Sequence, residues 1–258
     1  MKFIVLMKQV ANKDAVLRID SDGKWIDESD VSMQTNESDG YALEEALRMK
    51  EALGDGEVIV CTLGKASAKT VIRDALARGA DRAIHIIADN DSELSPYQIA
   101  KAIADAVRDE NPDLIFAGLQ SDDASYGQTG VILAELLGIP HATIVIEVDR
   151  ESAGSTLRVK RELESGWYQW FEYDLPALLT IQSGISQIRY ASLKGIMAAK
   201  KKEIRDVTPD FGGFSGGQTV KKVYLPLKTK QTQMLGNGDA KAGAVELVEK
   251  LKSEVRVL

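Results

Sequence analysis

The sequence predicts an α/β protein with a mainly parallel sheet that carries helices on both faces. Over the first 140 residues, short apolar runs alternate with segments that have apolar residues at helical spacing. Strands that alternate with amphipathic helices form parallel sheets covered on both sides. Further along, apolar runs follow one another with few helical segments between them, which predicts antiparallel hairpin additions. A Gly- and Ser-rich segment followed by a last amphipathic stretch predicts a C-terminal extended arm with a helix.

The alternating part predicts four buried strands and four helices. The strands are Phe3–Met7, Val58–Leu63, Ala83–Ile87 and Leu114–Ala117. The helices cover residues 40–53, 66–78, 95–107 and 126–138. Ser38 or Asp39 is available to cap the first helix, and Ser95 with Gln98 forms a capping box for the third. Because ligands of such sheets bind beyond the carboxyl ends of the strands, the loops after Met7, Leu63 and Ala117 are expected to line one crevice.

The later part predicts strands joined by short turns. The strands are Ala142–Val148, Thr156–Leu163, Tyr168–Tyr173 and Ala177–Gln182, with turns at 152–155 and 164–166. We expect them to form hairpins added to the edge of the sheet. Residues Ser192–Lys202 predict a short helix that ends in a lysine run.

The C-terminal part predicts a linker over 207–219, an extended segment over 220–227 and a helix over 239–252. Ala244, Leu247, Val248 and Leu251 share one face of that helix, which must be buried somewhere. Its own domain and a partner subunit are both open as the surface that covers it. The predicted division is therefore 1–206 for the α/β domain with its edge hairpins, and 207–258 for the linker and arm.

Composition and charge narrow the function. The 258 residues carry a net charge of −7 and an isoelectric point near 5.1, which argues against general nucleic-acid binding. The sequence has one cysteine, Cys61, so it cannot form an internal disulfide. It has two histidines, His85 and His141, and these three residues are too few for a Cys/His metal site. No apolar run is long enough to span a bilayer, so we expect a cytoplasmic protein.

The most informative stretch is residues 113–130, DLIFAGLQSDDASYGQTG, in which a buried strand, a polar loop and a helix follow one another. The first N–H groups of a helix are unpaired and carry partial positive charge, so they bind phosphate readily. Small and polar groups stand where a phosphate would lie: Ser125, Gly127, Gln128 and Thr129. Asp122 and Asp123 can hydrogen-bond a ribose or an adenine amino group. An ordinary capped turn between strand and helix is the other interpretation, and the residues alone leave both open.

Several segments together resemble the β subunit of electron-transfer flavoproteins. The opening strand FIVLMKQV, the segment MQTNESDGYALEEALRMKE and the segment VIRDALARGADRAIHI are each similar to parts of that subunit. The loop GLQSDDASYGQTG looks like its adenine-nucleotide loop. The long segment VKRELESG followed by LPALLTIQSGISQIRYASLKGIMAAKKKEI resembles the family signature. The resemblance covers nearly the whole chain and looks nearest to the form that serves methylamine-type dehydrogenases.

The resemblance implies a heterodimer in which an α subunit holds the redox-active FAD and this chain buries a structural AMP. Electrons would come from soluble dehydrogenases and pass to a membrane quinone oxidoreductase. The phosphate of AMP would meet the loop and helix start at Ser125, Tyr126, Gly127, Gln128 and Thr129. Adenine and ribose would be enclosed by Leu6, Asn36, Ser38, Asp39, Leu63, Gly118, Gln120 and Asp123. No catalytic residue is required, because the chemistry takes place on the flavin.

The resemblance also implies a docking loop for the dehydrogenase. Ile185 stands where the family places an apolar anchor, Gly184 allows the bend, and Arg189 closes the motif. The family's Asn-x-Pro-Arg is here Ser186-Gln187-Ile188-Arg189, so the stiffening proline is missing.

Two other functions are compatible with the pattern. A bifurcating flavoprotein would hold a second FAD in place of AMP, but that form carries Asp-Gly-Asp-Thr where this chain has Asp123-Ala124-Ser125-Tyr126. The bulky Tyr126 leaves less room for a pyrophosphate, which favours AMP. A stand-alone ATP-binding protein of similar topology would leave the hairpins, the linker and the last helix unexplained.

Overall fold

A computed structural model of the chain describes residues 1–89, 91–149, 156–211, 220–226 and 232–257. The chain divides into two compact units, Met1–Val223 and Tyr224–Leu258. The division by role at residues 206 and 207 stays a prediction. The predicted turn at 152–155, most of the predicted linker and Leu227 lie outside the described residues.

The strands, in chain order, are β1 (Lys2–Leu6), β2 (Gln9–Ala11), β3 (Met33–Thr35), β4 (Glu57–Gly64), β5 (Arg82–Ile87), β6 (Leu114–Gly118), β7 (His141–Val148), β8 (Thr156–Glu162), β9 (Tyr168–Asp174), β10 (Ala177–Ile181) and β11 (Ile204–Val207). The α-helices are α1 (Glu37–Leu53), α2 (Lys69–Arg78), α3 (Pro96–Val107), α4 (Thr129–Leu137), α5 (Leu193–Ala199) and α6 (Ala240–Lys250). These elements confirm the α/β class.

The described part of the first unit is built on a sheet of nine strands in the order β11-β5-β4-β1-β6-β10-β7-β8-β9. All the pairs from β11 to β7 are parallel, and β8 and β9 extend the sheet as antiparallel strands. The expectation of edge hairpins is therefore confirmed for β8 and β9. It is wrong for β10, which lies between β6 and β7 and is parallel to both.

The position of β10 follows from its composition. All five residues of the strand, ALLTI, are buried, so it fits the interior of a sheet better than an edge. Three strands were not predicted at all. A short antiparallel pair, β2 and β3, follows the first strand, and β11 adds a parallel edge strand beside β5.

Two helix starts differ from the expectation. Asn36, and neither Ser38 nor Asp39, stands at the N-cap of α1, because the side chains of the latter two are engaged with the loop after β6. Helix α4 begins at Thr129 and not at Tyr126, since Ser125 and Gly127 have positive φ angles of 53° and 61° that a helix does not accommodate. The capping box at Ser95 and Gln98 is present as predicted.

The core consists of one cluster on each face of the sheet. Alternate residues of β1 point to opposite faces, so Phe3 and Val5 join one cluster whereas Ile4 and Leu6 join the other. The first cluster is covered by α1 and α2, and the second by α3 and α4. Cys61 belongs to the second cluster, and His85 is also fully buried.

The second unit contains α6, which Asp239 caps by accepting hydrogen bonds from the N–H groups of Lys241 and Ala242. The helix agrees with the predicted residues 239–252. Val245, Leu247 and Val248 on this helix are exposed. A helix that presents adjacent apolar side chains to solvent has an interaction face to cover.

A charge cluster ties together the amino-terminal side of the sheet. Arg82 on β5 donates to the carboxylates of Glu57 and Glu110, with shortest distances of 2.7 and 2.6 Å. Arg205 on β11 donates to Glu110 at 2.8 Å. The hydrogen bond from Arg82 is the main cause that holds the pKa of Glu110 below its ordinary value. The cluster therefore links four segments that are distant in the chain.

We expect Glu110→Gln to lower the free energy of unfolding by about 1 kcal/mol near neutral pH, because the ionised carboxylate accepts from two arginines. A lowered pKa means that this contribution is present above the pKa of the unfolded chain and is lost as the pH falls through the lower folded value. Urea unfolding at several pH values checks this. The difference from the wild type should shrink toward acid, and the exposed Glu135→Gln is the control; a difference that does not change with pH contradicts the assignment.

Candidate functional site

A cleft opens at the carboxyl ends of β1, β4 and β6, where the sequence predicted a crevice. It encloses about 1050 Å³ when the space open to solvent at its mouth is included. Most of the predicted ligand-binding residues line it: Leu6, Asn36, Asp39, Leu63, Gly118, Gln120, Tyr126, Gly127, Gln128 and Thr129. Ser38, Asp123 and Ser125 do not line it and have other partners.

Asp39 joins the two central strands below the cleft. Its carboxylate accepts hydrogen bonds from the backbone N–H groups of Lys8, at 2.8 Å, and Gly118, at 3.0 Å. Burial raises the pKa of Asp39 to about 7, and the two N–H donors act in the opposite direction. The Asp39 side chain thereby fixes the distance between the ends of β1 and β6, which both line the cleft.

The first turn of α1 holds the loop that follows β6. The amide of Asn36 donates to the carbonyl of Gln120 at 2.9 Å, and the hydroxyl of Ser38 donates to the same carbonyl at 2.8 Å. The Asn36 side-chain oxygen accepts from the N–H of Asp122 at 2.9 Å. Ser38 is thus a buried support behind the cleft, and the loop that leads to α4 is held at three points.

The start of α4 presents its first turn to the cleft. Gln128 is the N-cap and makes no side-chain capping bond, and Thr129 and Gly130 line the cleft beside it. The first N–H groups of a helix have no partner within the helix, so they are available to an anion here. Ser125 lies one turn earlier, where its N–H and hydroxyl both donate to the carbonyl of Ser121. It shapes the loop and does not line the cleft.

Asp123 is paired with Lys8, which lies in the short segment between β1 and β2. Both of its carboxylate oxygens lie 2.7 Å from Nζ of Lys8. Lys8 of this pair lines the cleft, and the contact of Asp123 with the ribose stays a prediction. The neighbouring Asp122 accepts from the N–H of Glu37 at 3.2 Å, at the N-terminus of α1.

The sequence analysis missed the apolar wall of the cleft. Leu94 precedes α3, while Ile99 and Ile103 lie on that helix and face the cleft. Ile99 and Ile103 have the helical spacing of a buried stripe, but nothing local in the sequence indicates which strand such a stripe packs against. Other lining residues that were not predicted are Met7, Lys8, Trp25, Cys61, Asp91, Ser92, Ala117, Leu119, Ser121, Ala124, Gly130 and Val220. Burial raises the pKa of the Cys61 thiol to about 12, so it is a packed wall residue.

The predicted docking loop is held against the body of the domain. Ile185 is half-buried and packs on the core cluster beneath α1, and Gly184 before it has a φ angle of 90°. Arg189 donates to Glu44 at 2.9 Å and to Glu51 at 2.5 Å, both on α1. The expected apolar projection occurs further along: Tyr190 is 96% exposed, Leu193 79% and Met197 64%.

Within the described ranges, no group of three or more His, Cys, Asp or Glu side chains is placed to hold a metal ion. None of the described helices combines the length and the apolar character that crossing a membrane requires.

The fold and the cleft define an α/β protein with a ligand-sized site at the carboxyl edge of a parallel sheet. The model of the electron transfer flavoprotein domain matches residues 24–211 of this chain. The chain therefore belongs to the electron transfer flavoprotein family, as the sequence resemblance indicated.

Relatives of similar length match over the whole chain. The electron transfer flavoprotein subunit beta of Methylophilus methylotrophus is 34% identical, with 98% of this chain and 99% of the relative covered. The subunit beta of Bradyrhizobium diazoefficiens is 38% identical, with both chains covered completely. A rice protein named as the mitochondrial subunit beta is 36% identical over the same extent.

We expect Gly118→Ala to destabilise the protein by about 3 kcal/mol, because overpacking at a rigid site is costly. The added Cβ would lie 2.2 Å from Oδ1 of Asp39 and 2.3 Å from Oγ of Ser38. Urea unfolding measures the effect. Gly40→Ala is the matched control, since its Cβ would meet only the end of the Ile188 side chain, at 3.3 Å. Equal stabilities of the two variants would contradict the close approach of Gly118 to Asp39.

Proposed function

We propose that this chain is the β subunit of a heterodimeric electron transfer flavoprotein that binds a structural AMP in the cleft. It supports an α subunit that bears the FAD, and it docks dehydrogenases so that electrons reach the flavin and pass on to a quinone oxidoreductase. The cleft at the N-terminus of α4, in a chain of this family, carries the proposal. The chain is an electron-carrier subunit and supplies no catalytic residue. Its cytoplasmic location stays a prediction.

The two ends of the cleft suit the two ends of a mononucleotide. The N–H groups and hydroxyl around Gln128, Thr129 and Gly130 fit a phosphate, because they offer donors with partial positive charge. Leu63, Leu94 and Ile103 form an apolar wall. This wall fits the faces of a purine ring, because contact between the two excludes water. The polar residues between the ends, Asn36 and Gln120, suit the ribose.

The charges around the phosphate end favour one phosphate over several. Lys8, which follows β1, lines the cleft, and Asp123 already neutralises it at 2.7 Å. Asp122 and Asp123 both belong to the loop that follows β6, so a second phosphate would meet carboxylates and a lysine that is already paired. Tyr126 occupies space at the cleft that a pyrophosphate needs. These features support AMP in this chain and leave the redox-active FAD to the α subunit.

Docking of the dehydrogenase is assigned to the surface at the start of α5. Burying an exposed apolar side chain on docking is favourable by its transfer free energy. Leu193 is exposed and would contribute most of that free energy, whereas Ile185 is already half-buried and would contribute less. Tyr190 and Met197 surround Leu193 with further exposed apolar area. This surface is supported by Gly184, Ile185 and Arg189. Arg189 directly precedes Tyr190 and forms ion pairs with α1. One anchor with weak contacts around it suits rapid, transient docking.

The C-terminal unit is assigned to the α subunit. The exposed apolar face of α6, with Val245, Leu247 and Val248, is the kind of surface that a permanent partner covers.

The identity of the bound nucleotide tests the proposal. The chain is co-expressed with its α subunit, and the purified complex is denatured so that released nucleotides can be separated and quantified. We expect one AMP and one FAD per heterodimer. Two FAD and no AMP would instead indicate the bifurcating form, and ATP turnover without flavin would indicate a stand-alone ATP-binding protein.

Leu193→Ala should slow reduction of the flavin by a partner dehydrogenase about tenfold, because hot-spot truncations typically cost 1–2 kcal/mol. Flavin and AMP content should not change. Stopped-flow reduction of the heterodimer measures the rate, with Val16→Ala, an exposed apolar residue on another loop, as the control. A larger effect from Ile185→Ala, with full stability retained, would return the anchor to the originally predicted position.

A further inference from the structure

A segment with little apolar packing of its own forms one side of the cleft. Residues 12–32 connect β2 to β3, and we call them the strap. A single isolated bridge between Ile19 and Ile26 folds the strap back on itself. Val16, at 84% exposure, and Leu17 point to solvent. The position of the strap therefore depends on a few contacts near Trp25, which lines the cleft.

Glu28 makes the central contact. Its Oε1 accepts a hydrogen bond from Nε1 of Trp25 at 3.0 Å, and its Oε2 lies 2.6 Å from Nζ of Lys65. Lys65 belongs to the loop that follows β4, on the far side of the cleft edge. One carboxylate thus holds the indole in the cleft wall and ties the strap to the body of the domain.

Two further contacts flank this carboxylate. On β2, just before the strap, Gln9 donates to the carbonyl of Ser67 at 3.0 Å and accepts from the Ser67 hydroxyl at 2.9 Å. In the middle of the strap, the carbonyl of Gly23 accepts from the N–H of Val223 at 2.8 Å. The fastening is polar throughout, so it can open without exposing a packed core.

We propose that the strap closes the cleft over the bound nucleotide and that Glu28 is the positioning residue that keeps it closed. The inference rests on the proposed nucleotide site. Trp25 would cover the ligand from the solvent side, opposite the apolar wall on α3. With the Glu28 carboxylate in place the ligand leaves only after Trp25 swings away, and this step sets the rate of release.

The side chains of Lys65 and Glu28 are 34% and 28% exposed, so solvent screens the pair only in part. Loss of such a pair changes an equilibrium by a factor of about three to ten. Because the strap contributes little to the core, the same loss should leave global stability nearly unchanged.

The test measures how fast AMP leaves the heterodimer. The complex is loaded with radiolabelled AMP and chased with an excess of unlabelled AMP. We expect Glu28→Gln and Lys65→Met each to release AMP about three to ten times faster than the wild type, with FAD content and the urea midpoint unchanged. Asp30→Asn, which removes an exposed charge from the same strap, is the control.

Two measurements decide the outcome. Release from Glu28→Gln at the wild-type rate would overturn the proposal, as would equal acceleration by Asp30→Asn. Hydrogen exchange adds a second readout: AMP should protect amides of the strap in the wild type, and protect them less in Glu28→Gln. A wild-type complex without AMP would contradict the proposed function itself. A wild-type complex that holds AMP, but releases it at a rate that does not depend on Glu28, would contradict only the role of the strap.

Discussion

The cleft depends on two hydrogen bonds, which the backbone N–H groups of Lys8 and Gly118 donate to the carboxylate of Asp39. Parallel strands diverge where their hydrogen bonding ends, and the loops that follow β1 and β6 leave the sheet at that point. Asp39, in the first turn of α1, holds these two loops at a fixed distance from each other. Gly118 is required there because the carboxylate and the Ser38 hydroxyl occupy the space of a side chain. Every loop that lines the cleft is placed relative to this junction.

Around that junction the protein separates its tasks by exposure. The cleft collects buried donors, carboxylates in fixed partnerships and an apolar wall, which suits a ligand that stays. The start of α5 presents apolar side chains to solvent on a base anchored by Arg189, which suits contacts that form and break. Helix α6 in the C-terminal unit presents a broader apolar face, which suits a permanent neighbour. The proposed function needs these three surfaces and no acid, base or nucleophile.

Much of the fold could be predicted from the sequence, because strand and helix periodicities are local. The capping box at Ser95, the apolar strands and the last helix are all found where the pattern placed them. The predicted cleft residues lie together for a similar reason: in a parallel sheet, strand polarity alone brings the loops after Leu6, Leu63 and Gly118 to one edge. The start of α4 could not be predicted as well, since the positive φ angles of Ser125 and Gly127 follow from how the loop is held by Asn36 and Ser121.

By itself, the sequence determined the α/β class, the family and the edge of the sheet at which the cleft opens. Only the tertiary structure decided that β10 enters the sheet between β6 and β7, that Trp25 and the α3 stripe line the cleft, and that Leu193 and not Ile185 projects. The physical reason is the range of the interactions involved. Periodicity and capping depend on neighbours within a few residues, whereas strand order and side-chain burial depend on contacts between segments that the chain keeps far apart.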